Sequence, residues 1–207
     1  MFTLKSLFAL LVLTLVSVAF AQEPALTATV PAYGNPDCPI MGKKASSTLF
    51  VDTEMGRIYI CCAPCIKKIR SDVATAMKSA YPVVKKLNNA ICPVSGKPLT
   101  AEATSVVIQG LEVGLCCDKC EEVARKNHQL TLAKAHDPKL KLVENKKCPV
   151  DGSEVDSNAI VIVGNEIIRL SSLRHMSDIV KDPAVALKKA QTDAQQPHKE
   201  TEAKDGK

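Results

Sequence analysis

Three times along the chain, a pair of short runs rich in Val, Ile, Leu, Phe and Tyr interrupts a more polar background: 48–52 with 57–61, 105–108 with 111–116, and 159–163 with 166–170. Each pair is joined by a few residues that include a glycine: Glu54-Met55-Gly56, Gln109-Gly110 and Gly164-Asn165. β-Branched and aromatic residues suit a pleated strand, and a short glycine-containing break between two such runs predicts a β-hairpin.

Helical spacing follows each pair. Ile66, Ile69, Val73 and Met77 recur every three or four residues, and Pro64 sits where a first helical residue loses no hydrogen bond. The second stretch predicts a helix over 118–127 with Val123 turned inward, and the third a helix over 172–180. Asp182-Pro183 is expected to restart a second helix over 184–190, and Asp137-Pro138 to do the same in the middle stretch. Each stretch therefore reads as turn, hairpin and helix, often with a second short helix.

The ends differ from this plan. Lys5, the apolar run 7–20 and the small-x-small set Ala19-Phe20-Ala21 form a secretory signal, with cleavage expected after Ala21. Its 14-residue run is short for a bilayer span, which needs about 20 apolar residues. Secretion or a periplasmic location follows, with no membrane span after cleavage. Residues 22–35 are rich in Pro, Ala and Thr and read as an extended leader. Residues 191–207 lack any large apolar side chain and read as a disordered tail, with His198 a bystander.

Composition makes the core thin. There is no Trp, and outside the signal the only aromatics are Tyr33, Phe50, Tyr59 and Tyr81. Aromatics usually supply much of a core's buried area, so metal or disulfide bonds are expected to contribute to stability. After signal cleavage, 26 basic residues face 22 acidic ones, a net charge of +4. The lysines are spread along helical stretches as solvated faces, which leaves nucleic acid a poor partner.

The nine cysteines carry the candidate chemistry. Cys38-Pro39-Ile40-Met41-Gly42, Cys92-Pro93-Val94-Ser95-Gly96 and Cys148-Pro149-Val150-Asp151-Gly152 share one pattern, with starts 54 and 56 residues apart. That is the signature of an internal repeat, with units near 36–90, 91–146 and 147–190. In the first unit 22 residues separate Cys38 from Cys61, Cys62 and Cys65; in the second 23 separate Cys92 from Cys116, Cys117 and Cys120. A hairpin folds the first cysteine back beside the cluster at the strand-to-helix junction. There, free N–H groups and the helix dipole favour thiolate, the metal-binding form. Adjacent Cys61 and Cys62 point differently, so one of them is expected to be the primary ligand. Sulfur-rich sites suit Zn²⁺ or Cu⁺. In the third unit, Cys148 is followed by Ser171, Ser172 and His175 in place of the cluster. Cys148 with His175 offers donors for a weak site at most, and this unit is expected to keep its fold without holding an ion tightly.

The Cys-Pro-Ile-Met-Gly turn, the hairpin from Leu49 to Ile60 and Cys61-Cys62-x-x-Cys65 resemble the YHS/TRASH-like family of small metal-binding modules. The family's three-cysteine pattern falls on Cys38, Cys61 and Cys65, and with one extra residue on Cys92, Cys116 and Cys120. The resemblance covers about residues 36–190. It implies an α+β chain of three tandem, small, treble-clef-like modules, each a Cys-Pro turn, β-hairpin and helix, that bind heavy metal. The expected role is sequestration, trafficking or sensing of zinc or copper, without enzymatic activity. Metal ions are the expected partners, and another extracytoplasmic protein a further one.

Two other readings compete. Export implies an oxidising compartment, and four cysteines in each of the first two units suffice for two bridges, which would make the chain a disulfide-stapled interaction scaffold. Cys62-Ala63-Pro64-Cys65 and Cys117-Asp118-Lys119-Cys120 are also Cys-x-x-Cys motifs, as in thiol-disulfide oxidoreductases. A 54-residue period leaves no room for the βαβ framework of that chemistry, and the turn cysteine would have no part in it.

Overall fold

A computed structural model describes residues 26–196; the signal segment and the tail beyond 196 lie outside the described residues. The fold is mixed α+β. Three antiparallel hairpins pair strands β2 (Phe50–Thr53) with β3 (Gly56–Tyr59), β5 (Thr104–Ile108) with β6 (Leu111–Leu115), and β8 (Ile160–Val163) with β9 (Glu166–Arg169). Two helices follow each hairpin: α1 (Cys65–Ser71) and α2 (Val73–Ala80), α3 (Lys119–Lys126) and α4 (His128–His136), α5 (Met176–Lys181) and α6 (Pro183–Ala194). A one-turn 3₁₀ segment, Leu173–His175, opens the last pair.

The helical periodicity from Ile66 to Met77 spans a break. Asp72 leaves the helical region and its carboxylate accepts the Thr75 N–H at 3.0 Å, capping α2. Asp182 caps α6 the same way through Val185 N–H. Asp137-Pro138 does the opposite of what the sequence suggests: α4 ends at His136, and the chain beyond forms strand β7 (Lys141–Leu142). Val123 also departs from expectation. It is exposed, and Cys120 with Ala124, one turn apart, form the buried face of α3.

Short linking segments tie one hairpin to the next. Strand β4 (Lys85–Lys86) runs parallel to β6, and β7 runs parallel to β9. The expected leader is part of the fold from residue 26 onward. Strand β1 (Ala28–Thr29) pairs with β8 across Ile162 and Val163, and Tyr33 stacks on His136 with ring centroids 4.3 Å apart. Helix α6 likewise runs four residues into the expected tail, because Asp193 accepts the backbone N–H groups of Lys146 and Lys147 at 2.6 and 3.0 Å.

The core is aliphatic and divided. One cluster lies under each hairpin, around Ile58, Ile60 and Ile69, around Ile108, Leu115 and Leu132, and around Val161, Ile168, Leu170 and Ile179. A fourth, with Ala133, Leu140, Ile160 and Ile167, bridges the second and third. Polar groups join the hairpins at their tips. Gln109, at φ +51° in its hairpin turn, is buried; its Oε1 accepts from Arg57 N–H and from Gln129 Nε2, and its Nε2 donates to the Tyr33 carbonyl at 2.9 Å. Arg57 is 1% exposed, donates twice to Asp52 at 2.7 and 2.9 Å, reaches the Asn158 carbonyl at 3.0 Å and packs over the Phe50 ring. A Cβ on Gly56 would come within 2.5 Å of Gln109 Cγ, so the first two tips approach as closely as a glycine allows.

Candidate metal centres

Each Cys-Pro segment folds into the same turn. Cys38, Cys92 and Cys148 accept, through their carbonyls, the N–H of the glycine four residues on, and donate their own N–H to the carbonyl of Lys43, Lys97 and Ser153. Gly42, Gly96 and Gly152 have φ of +63°, +72° and +73° with nothing within 4 Å of a would-be Cβ, so the turn needs glycine for its backbone alone.

An asparagine three residues before each of these cysteines fastens the turn to its hairpin. The Asn35 side chain exchanges two hydrogen bonds with the Tyr59 backbone, Asn89 with Gly114 and Asn145 with Arg169, all at 2.8–3.1 Å. The amide group imitates a strand edge and sets the turn cysteine beside the end of β3, β6 or β9. Sequence reasoning missed these residues, although their constant offset from Cys-Pro was visible.

The first turn meets the cluster after β3. Cys38 Sγ lies 3.6 Å from Cys65 Sγ, Cys61 Sγ 4.0 Å from Cys65 Sγ, and all three sulfurs lie within 4.8 Å of one another. In the second, Cys92, Cys116 and Cys120 meet the same limit, with Cys116 and Cys120 3.7 Å apart. Thiolates bound to one ion at about 2.3 Å stand about 3.8 Å apart in a tetrahedron and about 4.0 Å apart in a trigonal plane. The measured pairs are close to this spacing, and both triads could hold a metal ion. Cys62 and Cys117 flank the triads without joining them. Cys62 is 3.7 Å from Cys61 and 3.5 Å from Cys65; Cys117 is 3.9 Å from Cys116 and 3.7 Å from Cys120. None of the nine cysteines, all of them among the described residues, is bridged in the structure.

Burial raises the pKa of Cys38, but backbone N–H groups of Cys61, Ile40 and Met41 outweigh it and bring the thiol down to about 7. Cys92 falls to about 6 against burial, through the Ser95 hydroxyl and backbone N–H groups of Ser95, Cys116 and Val94. The acidifying donors thus come mainly from the turn. Cys65 and Cys120 are pushed the other way, to about 12, by burial and then by the neighbouring sulfurs. In each triad the turn backbone favours the thiolate of the turn cysteine while burial disfavours that of the helix cysteine, a charge that a bound cation would offset.

The third turn forms a different cluster. Cys148, Asp151 and His175 offer ligand atoms that all lie within 4.8 Å of one another. Sequence reasoning paired Cys148 with His175 and missed Asp151. No sequence signal marked it: that the position before the turn glycine faces the cluster is seen only in the structure, as in the second turn, where the Ser95 hydroxyl lies 3.2 Å from Cys116 Sγ.

The fold and these centres define a small cysteine-rich α+β protein with thiol clusters able to hold a metal ion. No family model matches the chain, and neither does any curated protein or solved structure. No helix among the described residues is long and apolar enough to cross a membrane.

Proposed function

We propose that this is an exported metal-binding protein built of three tandem YHS/TRASH-like modules, holding one Zn²⁺ or Cu⁺ ion in each of the triads Cys38/Cys61/Cys65 and Cys92/Cys116/Cys120. The observation that carries the reading is the convergence of Cys38 on Cys65, 27 residues apart in sequence, to a 3.6 Å sulfur contact, with a matching triad in the next hairpin. The same turn, asparagine and hairpin recurring around each triad support tandem modules. All-sulfur donor sets favour soft or borderline ions. Cys62 and Cys117 border the triads, and exposed Cys117 is placed to receive an ion from a carrier or pass it on, which suits sequestration or trafficking.

Cu⁺ titration of the reduced full-length protein against a competing chelator tests this. Saturation is expected at two ions, and Cys65→Ser and Cys120→Ser should each remove one. A reduced wild-type protein that binds neither Cu⁺ nor Zn²⁺ tighter than about micromolar would end the metal reading and leave the disulfide-stapled scaffold as the better description.

A further inference from the structure

The third hairpin replaces two of its three sulfur positions, yet rebuilds a three-donor cluster from other residues. His175 stands where Cys65 stands in the first unit, and Ser171 where Cys61 stands. Serine is a poor ligand, but Ser171 Oγ donates to both carboxylate oxygens of Asp151, at 3.2 and 3.0 Å, and Ser153 N–H donates to Oδ1 at 3.0 Å. The carboxylate is thereby held beside Cys148 in the role of the missing thiolate. His175 Nε2 lies 3.1 Å from Asp151 Oδ2. Nitrogen and oxygen ligands on one zinc ion, at about 2.0–2.1 Å each, stand about 3.3 Å apart in a tetrahedron. The other ring nitrogen, Nδ1, faces the Asp178 carboxylate at 4.0 Å, near the place of the carboxylate that commonly orients a metal-bound imidazole.

We propose that Cys148, Asp151 and His175 form a third metal site, selective for a divalent borderline ion of the zinc class over Cu⁺, with one coordination position open to water or an exogenous ligand. Three protein donors with a vacant fourth position are the arrangement of reactive rather than closed zinc sites. One buried thiol, one imidazole and one carboxylate suit Zn²⁺ and are a poor set for Cu⁺, which selects sulfur. Access is available, because the Asp151 and His175 side chains are 35% and 26% exposed while Cys148 anchors the site from the core. The inference rests on a donor set separate from the two thiolate triads.

Parallel titrations of the reduced full-length protein with Zn²⁺ and Cu⁺ test it, together with Asp151→Asn and His175→Gln, which spare the buried thiol and the core. Wild type is expected to take one more Zn²⁺ than Cu⁺. Each variant should lose that additional Zn²⁺, its affinity falling more than about 100-fold, since even outer-shell changes cost about 10–100-fold. Cu⁺ stoichiometry should stay unchanged. Co²⁺ placed at this site in a Cys65→Ser/Cys120→Ser background should show the sulfur-to-metal charge-transfer intensity of a single thiolate, absent in Cys148→Ser. Equal Zn²⁺ and Cu⁺ stoichiometries, unchanged in both surface variants, would overturn the proposal and leave His175 and Asp151 as an ion pair. A wild-type protein that binds one Zn²⁺, lost on Asp151→Asn, would uphold the third site while refuting the thiolate triads.

Discussion

His128 should make the protein lose stability in mild acid. It opens α4, is 1% exposed, and receives a hydrogen bond on Nδ1 from Gln129 Nε2 at 3.0 Å. Its Nε2 has no hydrogen-bond partner among the described residues; Asp52 Oδ1 is 3.6 Å away but already engaged by the Arg57 guanidinium. Burial opposes the imidazolium most; Asp52 pulls in its favour, Arg57 repels it, and Asp156 adds a smaller pull in its favour. The pKa is lowered from the ordinary 6.5 to about 4. Between those values the unfolded chain binds one more proton than the folded one. Stability is therefore complete above pH 6.5 and lost as pH falls toward 4. A shift of this size is worth about 3 kcal/mol in total, of which about 2 kcal/mol is lost between pH 7 and pH 5. The assay is urea unfolding at pH 7, 6 and 5 with reductant and chelator, comparing wild type with His128→Gln. The variant removes the titrating group, so its pH slope should be shallower by about 1 kcal/mol per pH unit. Equal slopes in the two proteins, or a directly titrated His128 pKa near 6.5, would refute the reasoning.

Chelation should destabilise the loaded protein strongly. Two sites held at free ion about 100 times Kd contribute about 5 kcal/mol, so removing the metal should lower Tm by about 10–20 °C in calorimetry, whereas an unchanged melting curve with all thiols oxidised would favour the disulfide scaffold. Asn89→Ala strips partners from the backbone of Gly114 and Ile91 and should cost about 1–3 kcal/mol by urea unfolding. It should also weaken metal binding at the second triad alone, because it loosens the turn that carries Cys92. Asp182→Ala removes the cap of α6 and should cost about 1 kcal/mol, with Asp182→Asn largely restoring it. Ile69→Ala, at a fully buried position of the first core cluster, should cost about 2–5 kcal/mol.

Much of the local structure is legible along the chain. All three hairpins and the helices after them follow from runs of β-branched residues, short glycine-containing turns and three-to-four spacing, because these are short-range preferences. The two cysteine clusters were legible for a related reason, although local geometry left open which of the adjacent cysteines, Cys61 or Cys62 and Cys116 or Cys117, stands nearest the turn cysteine. A Cys-Pro turn, a hairpin of fixed length and a cluster at its exit bring the first and last cysteine together by local geometry alone. What misled was equally local: Asp137-Pro138 looks like a helix start but ends one, and Val123 fits an inward stripe that Cys120 and Ala124 occupy instead.

The sequence by itself determined the turn–hairpin–helix units and the sulfur-rich character of two of their centres, since both depend on residues close in the chain. Tertiary structure decided how the hairpins are joined, where residues 26–35 go, and what surrounds the third turn. Gln109 meets Tyr33, Arg57 and Gln129, Arg57 reaches Asn158, and Ala28–Thr29 pairs with a strand more than a hundred residues away. No periodicity encodes such meetings, because they depend on which buried polar groups find partners once the clusters have packed. Asp151 belongs with them: as a sequence letter it is one more turn aspartate, and only the approach of Ser171 and His175 makes it a candidate ligand.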